Sequence, residues 1–280
     1  MRVLLTGAAG HIGGYALDAL CAAGHEVVAT DRVPVDDPRP VRVHTGDLRD
    51  AALVAEAMDG ADAVVHLGAV PHPNVPDAAE LFATNCLTAY RVLDQAGRAG
   101  VRRVAAASSL SALGLAWAPV PLSPRYVPVD EEHPVLVQDP YGLSKIALEE
   151  AARALHRRYG TDIVCMRFPF VGADDRLARH LAAVAADPGG RNPAELWGWL
   201  DTKDAAEALC RALTADVSGC HVVNVAATDT SSPLPTAQLL AHHHPGVPVF
   251  TELPGHAGLF DVSACAALLG FTPRRTWRTA

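Results

Sequence analysis

Three glycines set three apart, directly behind a short apolar run, constrain this chain more than any other feature. Val3-Leu4-Leu5 leads into Thr6-Gly7-Ala8-Ala9-Gly10-His11-Ile12-Gly13-Gly14 and then into residues of helical character. A strand that turns this sharply into a helix uses glycine for the tight turn, for close approach of the backbone to a pyrophosphate, and for close packing of helix on strand. The N–H groups that open such a helix lack intrahelical partners and attract anionic oxygens. An ordinary strand-to-helix turn also tolerates a glycine triplet, so context has to decide. Asp31 provides that context. It follows a second apolar run, Val27-Val28-Ala29, about 20 residues past the central glycine, where a carboxylate accepts hydrogen bonds from an adenosine ribose. Gly7, Gly10, His11, Ile12, Gly13 and Asp31 therefore read as a dinucleotide-binding set. A carboxylate at 31 repels a 2′-phosphate, which favours NAD over NADP, although Arg32 beside it is able to hold such a phosphate.

The same apolar rhythm continues in Val64–Leu67, Val104–Ala107 and Ile163–Met166. Each run is too short for a helix and lacks inside/outside alternation, as strands buried on both faces of a parallel sheet do. Helical stretches separate them, at His11–Ala23, Asp50–Met58, Ala78–Ala99 and Tyr141–Tyr159. Alternating strands and helices predict an α/β chain with a doubly wound parallel sheet. Residues 1–168 form the expected dinucleotide-binding domain, with 203–225 returning to it through a helix (Ala205–Leu213) and a strand (Cys220–Val225). Residues 169–280, broken by Pro188-Gly189-Gly190 and Ser231-Ser232-Pro233-Leu234-Pro235, form an expected small substrate-binding lobe. The proline-rich stretch Pro119–Pro140 is too punctuated for a helix or a central strand and is expected to be a surface loop beside a site.

Composition narrows the partners. Half of the 280 residues are hydrophobic and only 19% are charged, so the chain has a core to bury. The net charge is −8, and the arginine pairs at 102–103, 157–158 and 274–275 stand apart, which argues against nucleic acid. No apolar segment approaches the ~20 residues of a membrane span, and the apolar start at Met1–Leu5 stops far short of a signal peptide. Six cysteines without C-x-x-C spacing read as free thiols of a reducing cytoplasm.

With the glycines and Asp31, the motifs Gly46-Asp47-Leu48, Val64-Val65-His66-Leu67-Gly68-Ala69, Ser108-Ser109 and Tyr141-Gly142-Leu143-Ser144-Lys145 stand in order along the chain. As a set they resemble the extended short-chain dehydrogenase/reductase family, the group of NAD-dependent sugar epimerases and dehydratases. Asp261-Val262-Ser263 and Leu269-Gly270-Phe271-Thr272-Pro273 match that family's closing pattern, so the resemblance runs end to end. It implies a Rossmann-type sheet, with Asp47 and Leu48 flanking the adenine and Leu67, Gly68 and Ala69 passing beside the adenosine ribose and phosphates. It also implies that Asn85 is the helix asparagine near the site, that Ala107 and Phe168 contact the cofactor, and that Pro169 and Phe170 lie near the nicotinamide. His66 reads as a packed strand-end histidine.

Tyr141 and Lys145, at i and i+4 on one helix face behind Asp139-Pro140, and Ser109 at a strand end read as a Ser-Tyr-Lys site. The expected chemistry has the Lys145 ammonium and the positive nicotinamide ring together favouring the phenolate of Tyr141, which ordinarily titrates near ~10, so that it exchanges a proton with a substrate hydroxyl. Lys145 also holds the nicotinamide ribose by resemblance, and Ser109 hydrogen-bonds the substrate oxygen. Gly114 aligns with the glycine that closes the family's serine loop and selects Ser109, with Ser111 as runner-up.

Further candidate substrate contacts are His72, Ser111, Pro169, Arg176 and Trp199, with Trp197 divided between packing and pocket. His242-His243-His244 does not suit a metal, because consecutive side chains diverge. Asp201 and Asp204 read as helix caps. No metal is expected. The short stretch after Arg167, without a basic cluster for a diphosphate, points to a small polar, sugar-derived substrate and an oxidoreductase interconverting hydroxyl and carbonyl. Among small-substrate members the chain most resembles uronate dehydrogenases, except that Ser111 stands where those enzymes carry histidine. The alternatives are a nucleotide-sugar epimerase and a dinucleotide-sensing binding protein, against which the Tyr/Lys pair argues. By resemblance, helices Ala78–Ala99 and Tyr141–Tyr159 form a four-helix homodimer interface.

Overall fold

Val3, Leu4 and Leu5 are all essentially inaccessible to solvent, yet alternate residues serve opposite cores. In the computed structural model, which describes residues 1–278, they lie in β1 (Arg2–Thr6), the third strand of a seven-stranded sheet. Chain order continues α1 (His11–Ala22), β2 (Glu26–Asp31), β3 (Arg42–Thr45), α2 (Ala51–Met58), β4 (Ala63–His66), α3 (Ala78–Arg98) and β5 (Arg103–Ser109). A 3₁₀ turn (Leu110–Leu113) precedes α4 (Pro140–Tyr159), β6 (Asp162–Phe168), β7 (Phe170–Gly172), α5 (Asp174–Ala186), β8 (Trp199–Asp201), α6 (Thr202–Thr214), β9 (Cys220–Asn224), α7 (Thr236–His243) and α8 (Ser263–Leu269).

The sheet runs β3-β2-β1-β4-β5-β6-β9, parallel throughout. Val3 and Leu5 meet Leu17, Leu20 and Leu209 on one face. Leu4, Val64 and Ile163 meet Val92, Leu93, Leu148 and Leu155 on the other. Both faces are covered, which is why the strands read as unbroken apolar runs. Winding reverses between β1 and β4, so their carboxyl ends diverge and open a crevice. α4, the helix bearing Tyr141 and Lys145, starts where the sequence says: the Asp139 carboxylate accepts the Gly142 N–H at 2.8 Å and Pro140 occupies the first turn.

The structure adds to the expected elements. β3 has no apolar signature because Arg42, Val43 and Thr45 are exposed and only His44 is buried, as befits an edge strand. The last third contributes α5, α7, α8 and a separate two-stranded parallel sheet of β7 and β8. Pro119–Pro140 is not wholly at the surface: Val127 and Val129 are fully buried, and Val129 donates its N–H to Leu259 at 2.8 Å. Together with Trp197, Leu239 and Leu259 they build a third core. No helix among the described residues is long and apolar enough to cross a membrane.

Candidate active site

The crevice is a cavity of about 1010 Å³. One end is made of backbone. Gly7 turns with φ +72°, and a Cβ there would sit 2.8 Å from the Leu67 carbonyl carbon. A Cβ on Gly13 would lie 2.1 Å from the Gly7 oxygen, so helix and turn touch through bare backbone. Gly10 caps α1 in extended conformation without a side-chain cap, leaving the first N–H groups of the helix for another acceptor. Asp31 Oδ2 accepts the Ala9 N–H at 3.0 Å and Oδ1 the Arg32 N–H at 2.6 Å, tying the end of β2 to the turn. His11, Ile12, Arg32, Asp47, Leu48, Leu67, Gly68 and Ala69 share this wall. An anion-seeking helix end, a ribose-matching carboxylate and an apolar slot fit a dinucleotide of the NAD type.

Midway along the cavity stand Ser109, Tyr141 and Lys145, with Ala107 and Phe168 beside them. The Lys145 ammonium donates to the Ala107 carbonyl at 2.8 Å and lies 5.6 Å from the centre of the Tyr141 ring. Ser109 Oγ accepts the Ser111 N–H at 3.1 Å and donates to the Phe168 carbonyl at 3.4 Å. In the polypeptide alone, without the cofactor's positive charge, both groups are shifted by burial. Burial pushes Tyr141 up to about 12, against a hydrogen bond with Ser109, and burial pushes Lys145 down to about 8, against Cys165 and Glu149. Loss of hydration is the largest cause for both groups, which reach solvent only through the cavity.

Behind this set lies an ion pair the sequence reading missed. Glu149 accepts two hydrogen bonds from Arg167, at 2.9 and 2.8 Å, and one from Ser108 at 2.6 Å, all buried. Its signal was the i, i+4, i+8 stripe Tyr141, Lys145, Glu149 on one helix face. His66 is packed, bonded through Nδ1 to Thr6 Oγ1 at 2.8 Å, and burial lowers it to about 3.

Two expected contacts are displaced. Asn85 is buried in α3 and does not reach the cavity wall; its amide instead clasps the Val70 backbone, at 2.8 and 3.0 Å, and Ser144 Oγ at 3.1 Å. Asn85 thus braces the wall. Trp199, 1% exposed, is not a pocket residue either: its indole N–H bonds to Asp229, and Trp197 is likewise core. Large aromatics near a site pack into the lobe when a buried acceptor satisfies the indole. His72, Ser111, Pro169 and Arg176 do line the cavity. Arg176, however, stacks on Phe170 and donates Nε to the Val171 carbonyl at 2.9 Å; burial lowers the His11 pKa, and the Arg176 charge lowers it further.

Asp201 caps α6 as expected, whereas Asp204 binds the Arg274 and Arg275 backbone N–H groups. His244 is buried between Ser123 and the Pro193 carbonyl. Trp117, Arg191 and Glu195 also line the cavity, and nothing local in the sequence marked them.

The profile of the NAD dependent epimerase/dehydratase family matches residues 3–226. A UDP-glucose 4-epimerase of Azospirillum brasilense is 30% identical over 242 residues, 79% of this chain and 67% of its own length. A uronate dehydrogenase of Pseudomonas putida is 28% identical over 231 residues, 81% of this chain and 76% of its own. Among solved structures, a short-chain dehydrogenase/reductase superfamily protein from Agrobacterium tumefaciens with bound NAD superposes with a TM-score of 0.74 at 26% identity, covering 99% of this chain and 93% of the other.

Proposed function

The chain belongs to the NAD dependent epimerase/dehydratase family, and from that premise we propose that Ser109, Tyr141 and Lys145 catalyse oxidoreduction between a hydroxyl and a carbonyl on a small, sugar-derived substrate. NAD is the cofactor, and when bound it supplies the hydride acceptor and one positive charge. The glycine turn and the α1 N-terminus hold its diphosphate, and Asp31 its adenosine ribose. Tyr141, as the phenolate that the Lys145 ammonium and the positive charge of the bound cofactor would favour, takes the hydroxyl proton at its phenolic oxygen and is restored by releasing that proton to solvent, while Ser109 holds the substrate oxygen as charge shifts onto it. The observation that carries this reading is the placement of all three side chains in the wall of the same cavity as the glycine turn.

The enzyme acts as a cytoplasmic homodimer in this reading. Leu87, Tyr90 and Leu143, on α3 and α4, are 40%, 44% and 46% exposed, which supports the four-helix contact. All six cysteines are free thiols, in keeping with a reducing compartment.

The test is to mix the protein with NAD and a panel of alditols, aldoses, uronates and UDP-sugars while following absorbance of the reduced nicotinamide. Net reduction with one small-substrate class is expected. Interconversion of a UDP-sugar without net reduction would replace this reading by epimerisation.

A further inference from the structure

From Ser109 and Ser111 a connected row of side chains continues through Trp117, Arg191 and Glu195, which the family resemblance does not name. Trp117 donates its indole N–H to Ser111 Oγ at 3.1 Å, and Ser111 in turn donates its N–H to Ser109 Oγ. The Arg191 guanidinium lies 3.7 Å from the centre of the Trp117 ring and donates to Glu195 Oε1 at 3.1 Å. The row starts at the serine assigned to the substrate oxygen and ends at a carboxylate in the cavity wall. Glu195 has only part of its acceptor capacity committed, since a carboxylate offers about four lone-pair sites.

Charge in this row is balanced. Arg176 is held apart from this row, stacked on Phe170 and bonded to the Val171 carbonyl, so the row itself holds one cation and one anion, bonded to each other. Such a pair presents fixed donors and acceptors without net positive charge. Vicinal hydroxyls of a neutral sugar satisfy both, donating to the carboxylate and accepting from the guanidinium. A substrate carboxylate meets Glu195 as a like charge and competes for an arginine already engaged.

We infer that Glu195, held by Arg191 on the face of Trp117, selects a neutral polyhydroxylated substrate against its carboxylate-bearing counterpart. Burial also holds the Glu195 carboxyl above its usual range, with Arg191 pulling it down, as for a group set in a wall rather than in open solvent. The inference rests on the oxidoreductase reading for the position of the reacting carbon, but it makes its own claim about binding.

The experiment titrates NADH-loaded protein with aldohexoses and with the matching hexuronates, in wild type and in Glu195→Gln, and measures kcat and KM for the same compounds with NAD. Wild type is expected to bind the neutral sugar at least about tenfold more tightly, the size of one charge-assisted hydrogen bond. Glu195→Gln, which keeps shape and frees Arg191, is expected to raise the neutral sugar's KM about tenfold with little change in kcat, and to shift preference toward the uronate. A wild-type preference for the uronate, a preference unchanged in the variant, or binding of neither ligand overturns the inference. Selective binding without hydride transfer leaves it standing and removes the catalytic reading instead; turnover without selectivity does the reverse.

Discussion

The two halves of the cavity are built from different materials. The cofactor half is centred on main chain, at Gly7, Gly10, Gly13 and the opening N–H groups of α1, with side chains such as Asp31, Asp47 and Leu48 at the strand ends around it. The substrate half is mostly side chain, with Ser111 and Trp117 from the loop after β5, and Arg191 and Glu195 from the segment before β8. A backbone-built subsite tolerates almost any side chain except one that fills the gap. A side-chain-built subsite changes with each substitution, which is how one scaffold accommodates different substrates.

Separating the halves by mutation tests that contrast. Tyr141→Phe removes only the hydroxyl between them; turnover should fall about a thousandfold while the NADH affinity, read by fluorescence titration, stays within a factor of two or so. Loss of cofactor binding in that variant would mean the halves are not independent. Next in size is the cost of the buried lysine. Lys145 titrates at about 8 when folded and 10.5 in its ordinary state. The folded state therefore carries fewer protons between those values, and this group's contribution to stability rises as pH climbs from 8 to 10.5 and is lost as pH falls back through 8. Relative to Lys145→Met, wild type should gain a few kcal/mol across that window by urea unfolding. The raised thiols of Cys210, Cys220 and Cys265 act oppositely as pH rises from 9, but they are common to both proteins and drop out of the difference. A constant difference across the window would place Lys145 in water. Smallest is Gly13→Ala, whose Cβ meets the Gly7 oxygen; unfolding should show a loss of about 1–3 kcal/mol, accompanied by weaker NAD binding. An unaffected variant would show the turn to be looser than its geometry implies.

Legibility followed the same division. The strands of the sheet interior were readable because burial on both faces leaves no room for a polar residue, and β3 was not, because an edge strand with one buried residue has no such constraint. Ser109, Tyr141 and Lys145 were readable as types at fixed spacing, yet their burial was not: composition does not say that Tyr141 and Lys145 are dehydrated together. Asn85 and Trp199 had the right neighbourhood and the wrong orientation, each turned to a backbone acceptor in its own packing layer.

By itself the sequence determined the parallel sheet, the glycine turn and the spacing that brings Tyr141 and Lys145 onto one helix face, since these depend on local backbone geometry and on the spacing of side chains along one element. Only the tertiary structure decided which side chains close the substrate end and which groups lose their water. Those outcomes arise where loops distant in the chain pack against one another, and burial there is a property of the assembled core rather than of any segment within it.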